Sequence, residues 1–243
     1  MTLAKICGIR DVQSALVAAE SGAALVGFVF VPVRRQVEPA VAGAILQSIR
    51  NEMTLPPAGV GLFVNESPEA INSIANEVQL DMVQLSGDET ADFARHIDCP
   101  VIKAVRLKPD MSLDDGRRII EPYLRFAVAV LIDSHVPGQW GGTGQVGDWE
   151  TAAVLADEYP VILAGGLTPD NVEQAIEEVC PAVVDVSSGV ETENRKDARK
   201  IRAFLENASS AVARVTVSGP CAQLQDLIFA ARGVESSVRH ERV

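Results

Sequence analysis

Two side chains that can gain or lose a proton stand at the ends of apolar runs. Cys7 ends the run in KICGIR, and Asp133 ends the run in VLIDSH. A free cysteine is commonly a small buried core residue, although a strand end beside Gly8 also suits a functional thiol. A carboxylate is costly to bury, so at a strand end it is usually a helix cap or a functional group. Glycines rather than a helix start follow Asp133, which weakens the capping interpretation.

Two glycine-bearing turns have the composition of a phosphate site. They are AGGLTPDN at 164–171 and VSSGVE at 186–191, and they contain Gly165, Gly166 and Gly189. Glycine lets the backbone approach a phosphate closely, and the N-terminus of a following helix adds oriented N–H donors. One such turn alone would more simply be a tight turn. Two turns after consecutive apolar runs favour phosphate binding.

These candidates belong to a repeated pattern of strands and helices. Short runs rich in valine, isoleucine and leucine recur, and each is followed by a polar turn and a segment with helical periodicity. Near-continuous apolar strands indicate a parallel sheet covered on both faces. The eight runs are LAKIC (3–7), LVGFVF (25–30), AGVGLFV (58–64), MVQL (82–85), VIKAV (101–105), FAVAVLID (126–133), VILAG (161–165) and AVVDVS (182–187).

Helix candidates separate the runs, among them DVQSALVAAESG, PEAINSIANEV and PDNVEQAIEEV. Each opens near Asp, Pro or Asn and carries apolar residues on one face. Eight such units predict an α/β fold, a single-domain (β/α)8 TIM barrel over residues 1–208, with an open doubly wound sheet as the alternative. In a barrel the active site lies at the C-terminal ends of the strands, and phosphate is often held after strands seven and eight.

Residues 209–243 depart from this pattern and predict a short C-terminal extension. They contain one short β-like stretch and one amphipathic helix candidate. We expect a packed helix or a partly disordered segment. Composition leaves open whether it packs on the barrel or mediates an oligomer contact.

Composition limits the class of partner. The 243 residues are 47% hydrophobic and 22% charged, and the formal net charge of -12 is scattered along the chain. Without a concentrated basic face we expect no nucleic-acid partner, whereas a small anion can still be held by local N–H groups and a few cations. No apolar run reaches the roughly 18 residues of a membrane span, so we expect no membrane partner.

The N-terminus and the cysteines predict the compartment. MTLAKICGIR has no secretory pattern, and the four cysteines are far apart and form no CxxC pair. We therefore expect no zinc site, no disulfide framework and a cytoplasmic location.

Two further segments could contact a ligand. GGTG at 141–144 lacks the ending of a Walker motif and is not a GxGxxG after a strand, so we assign it to a flexible active-site loop. Arg35, after the second run, is a candidate cation for a carboxylate or a phosphate, with an ordinary surface arginine as the alternative.

Taken in order, the motifs closely resemble those of the phosphoribosylanthranilate isomerase family, over about residues 3–205. The ordered set is KICGIR, GFVF with a following arginine, VGLFVN, VQLSGDE, IKAV, LIDS with GGTG and DW, AGGLTPDNV, and VDVSSGVE with KD. Any one motif would be weak, but the collinear set is highly specific.

The resemblance implies an isomerase of tryptophan biosynthesis that uses neither a metal nor an organic cofactor. Its reaction converts N-(5-phosphoribosyl)anthranilate to 1-(2-carboxyphenylamino)-1-deoxyribulose 5-phosphate by an Amadori rearrangement. Asp133 is then implied as the general acid that protonates the furanose ring oxygen, and Cys7 as the general base that removes the proton from ribose C2. An apolar strand end favours a protonated acid, and positive charge such as that of Lys5 would lower the pKa of the thiol.

The resemblance also implies how a small phosphorylated aromatic substrate is held. Arg35 matches the arginine near the anthranilate carboxylate, and Asp185 is implied to order the loop after the last strand. The residues implied around the phosphate are Gly165, Gly166, Ser188 and Gly189. Family members occur as monomers and dimers, so we expect a monomer or a homodimer.

The chain departs from the family pattern at three places. Ser86 stands where a histidine is usual, and serine neither titrates near neutrality nor reaches as far. The loop after GFVF is one residue short, which leaves the choice between Arg34 and Arg35 open. Gly147 stands where phenylalanine commonly precedes the DW pair.

Two other functions compete with this one. A related histidine-pathway isomerase or a dual-specificity enzyme on the same barrel would use a pair of aspartates, and Cys7 replaces the first of them. A non-catalytic barrel that binds a phosphorylated ligand or a partner is the second alternative. It is suggested by Ser86 and the shortened loop, and opposed by the presence of both Cys7 and Asp133.

Overall fold

Eight parallel strands follow one another around a closed barrel in which the last strand pairs with the first. The computed structural model describes residues 1–107, 111–134, 148–211 and 219–233. The strands are β1 (Leu3–Cys7), β2 (Leu25–Val29), β3 (Ala58–Phe63), β4 (Met82–Leu85), β5 (Val101–Leu107), β6 (Ala129–Ser134), β7 (Val161–Leu163) and β8 (Val183–Val186). The predicted barrel is confirmed, and the open sheet is excluded.

Helices surround the strands and begin at the residue types that cap helices. The side chains of Asp11, Ser67, Ser112, Asp148 and Asp197 each accept a hydrogen bond from a first-turn amide. The helices are α1 (Val12–Glu20), α2 (Pro39–Glu52), α3 (Pro68–Val78), α4 (Leu113–Ile120), α5 (Trp149–Glu158), α6 (Val172–Val179), α7 (Ala198–Ser210) and α8 (Pro220–Ala231).

Short elements complete the units. The segment Asp92–His96 after β4 forms a 3-10 helix, as do Tyr123–Arg125 and Ser188–Val190. A small hairpin of β9 (Glu191–Thr192) and β10 (Arg195–Lys196) follows β8 and leads into α7.

Five strands, β2, β3, β6, β7 and β8, are shorter than their apolar runs, and the cause is visible for β6 and β7. β6 begins at Ala129 and not at 126, because the Phe126 amide donates to the Tyr123 carbonyl and closes the preceding turn. β7 ends at Leu163, since Gly165 and Gly166 both have positive φ angles, 86° and 66°, that end an extended strand. The GGTG motif and Gly147 lie outside the described residues.

Helix α8 covers the N-terminal end of the barrel. Its buried residues Cys221, Leu224 and Ile228 join the apolar cluster inside the strands. The Gln225 side-chain amide donates to the carbonyl oxygen of Met1 at 3.0 Å, two residues before β1, and to that of Ala182 at 3.1 Å, immediately before β8. We call this N-terminal end, with α8 on it, the floor of the barrel, and the opposite end the mouth.

No helix in the described ranges is long and apolar enough to cross a lipid bilayer.

Candidate active site

The inward-facing residues change from apolar at the floor to polar at the mouth. Alternate residues of a strand face the same side, so each strand contributes a short inward column. From floor to mouth the columns are Leu3, Lys5 and Cys7 on β1; Met82 and Gln84 on β4, continued by Ser86 just after it; Ile102, Ala104 and Arg106 on β5; Ala129, Leu131 and Asp133 on β6; and Val183 and Asp185 on β8. Chemistry is thereby confined to the mouth.

A cavity at the mouth brings together most of the residues that the sequence predicted. Its lining includes Cys7, Arg35, Asp133, Gly165, Gly166, Asp185 and Ser188. Gly189 is not among the lining residues and lies beside the Leu167 carbonyl. The wall also contains Gln84 and Arg106, which the sequence analysis did not select, and Ser86, which it noted only as a departure. The period of two along β4 and β5 was the signal that could have found them.

A fully buried lysine lies below Cys7 in the barrel interior. The Lys5 ammonium is 0% exposed and donates to Gln84 Oε1 at 2.8 Å and to Asp185 Oδ1 at 3.1 Å. Asp185 therefore pairs with a charge inside the barrel, whereas the resemblance had implied a role in ordering the loop that follows it. The pKa of Lys5 is raised, because Asp185 and Cys7 together outweigh the effect of desolvation, so this lysine stays charged.

The thiol of Cys7 is less acidic than the sequence analysis expected. Burial raises the pKa of Cys7 above its ordinary value, and the Asp185 carboxylate adds to that rise. The positive charges of Lys5 and Lys196 act in the opposite direction but do not outweigh burial. Lys5 does lower the pKa of Cys7, as expected. The net change of this pKa is nevertheless a rise, because a 4% exposed thiol loses most of its hydration.

Glu191 gathers three cations at the edge of the mouth. It accepts hydrogen bonds from Arg35 Nε at 2.7 Å, Arg35 Nη2 at 3.0 Å, Arg34 Nη2 at 3.0 Å and Lys196 Nζ at 3.2 Å. Burial alone would raise the pKa of Glu191, but the hydrogen bonds and charges of Arg35 and Lys196 lower it to about 2. Arg35 lines the cavity, whereas Arg34 is not in its lining and is the more exposed side chain, 41% against 16%.

The loops after β7 and β8 lie close together. A Cβ on Gly189 would clash with the Leu167 carbonyl oxygen, so only glycine permits this approach. Asn171 holds the first loop by donating to the Gly166 carbonyl at 3.0 Å and accepting from the Thr168 amide at 2.8 Å. Within the part of the chain that the structure describes, the Gly166 amide has no hydrogen-bond acceptor. The loop after β7 can therefore present this N–H donor to an anion.

The turn after β4 is fixed from both sides. Inside the barrel, Gln84 Nε2 donates to Ser86 Oγ at 3.1 Å, and Arg106 Nη2 donates to the Ser86 carbonyl at 3.1 Å. Outside the barrel, Lys103 Nζ donates to the Gly87 carbonyl at 2.6 Å and to Glu89 Oε2 at 2.7 Å. Ser86 is thus a buried, oriented hydroxyl at the cavity wall.

The arrangement combines a thiol, a carboxyl group and an anion cradle in one cavity. Proton transfer to and from a phosphorylated ligand is what such a set can perform. The described residues contain no group of three or more His, Cys, Asp or Glu side chains placed to hold a metal ion. The fold and the site together define the class: a (β/α)8 barrel whose mouth brings a thiol and a carboxyl group beside the glycine loops after β7 and β8.

Comparison with known proteins identifies the family. The profile of the N-(5'-phosphoribosyl)anthranilate (PRA) isomerase family matches residues 4–207. The chain is 44% identical over 212 residues to the N-(5'-phosphoribosyl)anthranilate isomerase of Roseiflexus sp. (strain RS-1). The aligned residues cover 85% of this chain and 97% of that protein.

Two solved structures are similar to this one. Monomers of the dimeric phosphoribosylanthranilate isomerase of Thermotoga maritima superpose with a TM-score of 0.73 at 38% identity, over 86% of this chain and 99% of theirs. A phosphoribosylanthranilate isomerase in complex with reduced 1-(o-carboxyphenylamino)-1-deoxyribulose 5-phosphate superposes with a TM-score of 0.72 at 39% identity, over the same shares. The chain belongs to the N-(5'-phosphoribosyl)anthranilate isomerase family.

Proposed function

We propose that this chain isomerises N-(5'-phosphoribosyl)anthranilate to 1-(2-carboxyphenylamino)-1-deoxyribulose 5-phosphate in tryptophan biosynthesis. The observation that carries the proposal is that Cys7 and Asp133 line one cavity together with the glycine loops after β7 and β8. A phosphosugar bound with its phosphate at those loops extends its ring into the space between the thiol and the carboxyl group. Membership of the family supplies the substrate.

The reaction needs two proton transfers. The Asp133 carboxyl group donates its proton to the furanose ring oxygen as the C1–O bond breaks, and the nitrogen lone pair of the anthranilate forms an iminium group with C1. The Cys7 thiolate then removes the proton from C2, and the released electron pair forms the C1–C2 double bond of an enolamine. Tautomerisation moves the enol proton to C1 and leaves a ketone at C2. No atom is gained or lost, and both steps are proton transfers between the substrate and these two side chains. As the resemblance implies, neither a metal nor a cofactor is proposed.

The remaining predicted residues bind and orient the substrate. The phosphate lies against the backbone of Gly165, Gly166, Ser188 and Gly189. Arg35 adds positive charge at the edge of the cavity. Asp185 keeps the Lys5 ammonium in place beneath Cys7, where that charge favours the thiolate.

We propose that residues 1–208 form the isomerase barrel and that 209–243 are an added extension. Helix α7 ends at Ser210, and α8 packs on the floor with three buried side chains, which supports this division. We further propose that the chain is a monomer or a homodimer and that it is located in the cytoplasm. The ligand of the site is a small phosphorylated aromatic substrate.

A fluorescence assay tests the function. Purified chain is mixed with freshly generated N-(5'-phosphoribosyl)anthranilate, and the loss of anthranilate fluorescence is followed alongside chromatography of the product. The native chain should convert the substrate, and Cys7→Ala and Asp133→Asn should each lose activity by orders of magnitude. A folded native chain that leaves the substrate unchanged overturns the proposal.

A further inference from the structure

We propose that Lys196 is a positioning residue for Cys7, which fixes the loop after β8 to the backbone of β1 and places a second positive charge near the thiol. This inference rests on the proposed function, in which Cys7 is the base. Lys196 lies on β10, in the small hairpin after β8, and its side chain is 3% exposed. A lysine is rarely buried to this degree unless its ammonium group is paired, so its partners indicate its role.

The Lys196 ammonium group holds both ends of the loop between β8 and β9. It donates to the Ser187 carbonyl at 2.8 Å, at the start of the loop, and to Glu191 Oε1 at 3.2 Å, at its end. The residues between these two bonds form the 3-10 helix Ser188–Val190, and Ser188 lines the cavity. One buried side chain therefore fixes the ends of a loop that contributes to the mouth.

The same loop is bonded to the proposed base. Ser187 Oγ donates to the Cys7 carbonyl at 3.2 Å, so Ser187 is held by Lys196 through its carbonyl and holds Cys7 through its hydroxyl. The strand register between β1 and β8 ends at the pair Ile6 and Val186, and this side-chain bond extends the contact to the next pair. Lys196 therefore acts on the backbone of Cys7 through one intervening residue.

Lys196 also adds positive charge near the thiol. Cys7 interacts electrostatically with Lys5 and Asp185 inside the barrel and with Lys196 outside its central column. The two lysines favour the thiolate, and Asp185 opposes it. Because Lys5 is paired with Asp185 at 3.1 Å, part of its effect on Cys7 is offset. The charge of Lys196 then shifts the balance toward the thiolate.

The positive charge of Lys196 is supported by Glu191. Burial lowers the pKa of Lys196, and the nearby Arg35 lowers it further, whereas Glu191 and Cys7 act in the opposite direction. Glu191 has a pKa of about 2, so it is ionised at neutral pH and favours the charged ammonium group. It also binds Arg34 and Arg35, so three cations share one carboxylate and the cluster keeps a net positive charge.

Alkylation of Cys7 measures this effect without the isomerase reaction. The native chain and its variants are treated with iodoacetamide at a series of pH values, and the rate at Cys7 is followed by mass spectrometry of its peptide. The thiolate is the form that reacts, so the pH dependence of this rate reports the pKa of Cys7. Cys99, which is partly exposed and lies outside the cavity lining, is the internal reference. The pH profile of kcat/KM is the second measurement.

Lys196→Met should lower the alkylation rate of Cys7 about tenfold near neutral pH and shift both pH profiles to higher pH, because one positive charge near the thiolate is lost. Lys196→Gln should show the same shift, since glutamine can still donate to the Ser187 carbonyl but has no charge. It also keeps the test available if the methionine variant does not fold. Lys196→Arg retains the charge and should restore most of the native profile.

Lys200→Met is the matched control. Lys200 is an exposed lysine whose Nζ donates to the Glu191 carbonyl at 2.7 Å, so this variant removes another lysine bond to the same loop. It should leave both pH profiles unchanged. The other charged side chains of the cavity lining, Arg35, Arg106 and Asp133, are the same in every variant and cannot cause a difference. Circular dichroism confirms that each variant is folded.

Two outcomes overturn the inference. If the Lys196→Met and Lys196→Gln variants that fold keep the native pH dependence of alkylation and of kcat/KM, the charge of Lys196 does not act on Cys7. If Lys196→Met and Lys200→Met lower kcat/KM equally at every pH, Lys196 only holds the loop. A native chain that leaves N-(5'-phosphoribosyl)anthranilate unchanged contradicts the proposed function, while alkylation still measures the effect of Lys196 on the thiol. The two failures are therefore distinguishable.

Discussion

The two ends of the barrel are formed by the same strands but differ in the polarity of their inward-facing side chains. At the floor, the inward residues are apolar and α8 seals them with Cys221, Leu224 and Ile228. At the mouth, the same strands carry the buried charges Lys5 and Asp185 and end in polar side chains that line the cavity. The difference indicates that stability is gained at the floor, which leaves the mouth able to hold buried charges that cost stability.

Removing the buried charge at the mouth should have the largest effect. Lys5→Met leaves the Asp185 carboxylate, whose side chain is 9% exposed, without its partner. The free energy of unfolding should therefore fall by about 3–5 kcal/mol. The pKa of Cys7 should rise still further, because an opposing positive charge is lost, and kcat/KM should then increase with pH over a more alkaline range. Urea unfolding and a pH profile of kcat/KM measure the two effects.

A double variant controls for the unpaired charge. Lys5→Met combined with Asp185→Asn removes both charges, so it should recover part of the lost stability. It should also show a smaller alkaline shift of the pH profile than Lys5→Met alone, because the Asp185 carboxylate raises the pKa of Cys7. A native pH profile in the Lys5→Met single variant would show that Lys5 does not act on Cys7.

Shortening a floor residue should affect stability alone. Leu224→Ala removes a 2% exposed side chain from the apolar cluster, so the free energy of unfolding should fall by about 2–5 kcal/mol. The value of kcat at a temperature where the variant is folded should equal that of the native chain. Gln223→Ala, an exposed position on the same helix, serves as the control. A drop in kcat for Leu224→Ala would mean that the floor and the mouth are coupled.

A smaller effect is expected where the phosphate loops meet. Gly189→Ala places a methyl group against the Leu167 carbonyl and must push the two loops apart. We expect KM to rise about tenfold, as for the loss of one or two hydrogen bonds to a charged phosphate, with a small loss of stability. Steady-state kinetics and binding of inorganic phosphate provide the measurement, and an unchanged KM would contradict the phosphate assignment.

The smallest expected effect is an acid-dependent loss of stability at the edge of the mouth. The pKa of Glu191 is about 2 in the folded chain, below its ordinary value of 4.5. Its contribution is therefore present above pH 4.5 and is lost as the pH falls from there toward 2. Glu191→Gln should flatten this part of the stability profile measured by urea unfolding, and an unchanged slope would argue against the cluster with Arg35 and Lys196.

The fold was predictable because apolar runs, polar turns and helix caps act locally. Each of the eight runs contains a strand, and their number favoured a closed barrel over an open sheet, which the structure confirms. The end of β7 was harder to place, because the positive φ angles of Gly165 and Gly166 are visible only in the structure.

The site was predictable where a residue type is unusual for its place. Cys7 and Asp133 are ionisable side chains at strand ends, and two glycine-bearing turns follow consecutive strands, so both features stand out in the sequence. Gln84 and Arg106 gave no such signal, since their role depends on contacts between strands that are distant in sequence. The rise in the pKa of Cys7 was also not predictable, because burial opposes the nearby cations and the balance depends on the packed structure.

The most direct test of the division between mouth and floor compares Cys7→Ser with Leu224→Ala in two assays. The first assay is kcat/KM for N-(5'-phosphoribosyl)anthranilate, and the second is the free energy of unfolding in urea. Cys7→Ser should lose about 10²- to 10⁴-fold in kcat/KM with little change in stability, because it replaces the base with a far weaker acid of similar size. Leu224→Ala should show the reverse. An active Cys7→Ser variant, or an inactive but folded Leu224→Ala variant, would contradict the account.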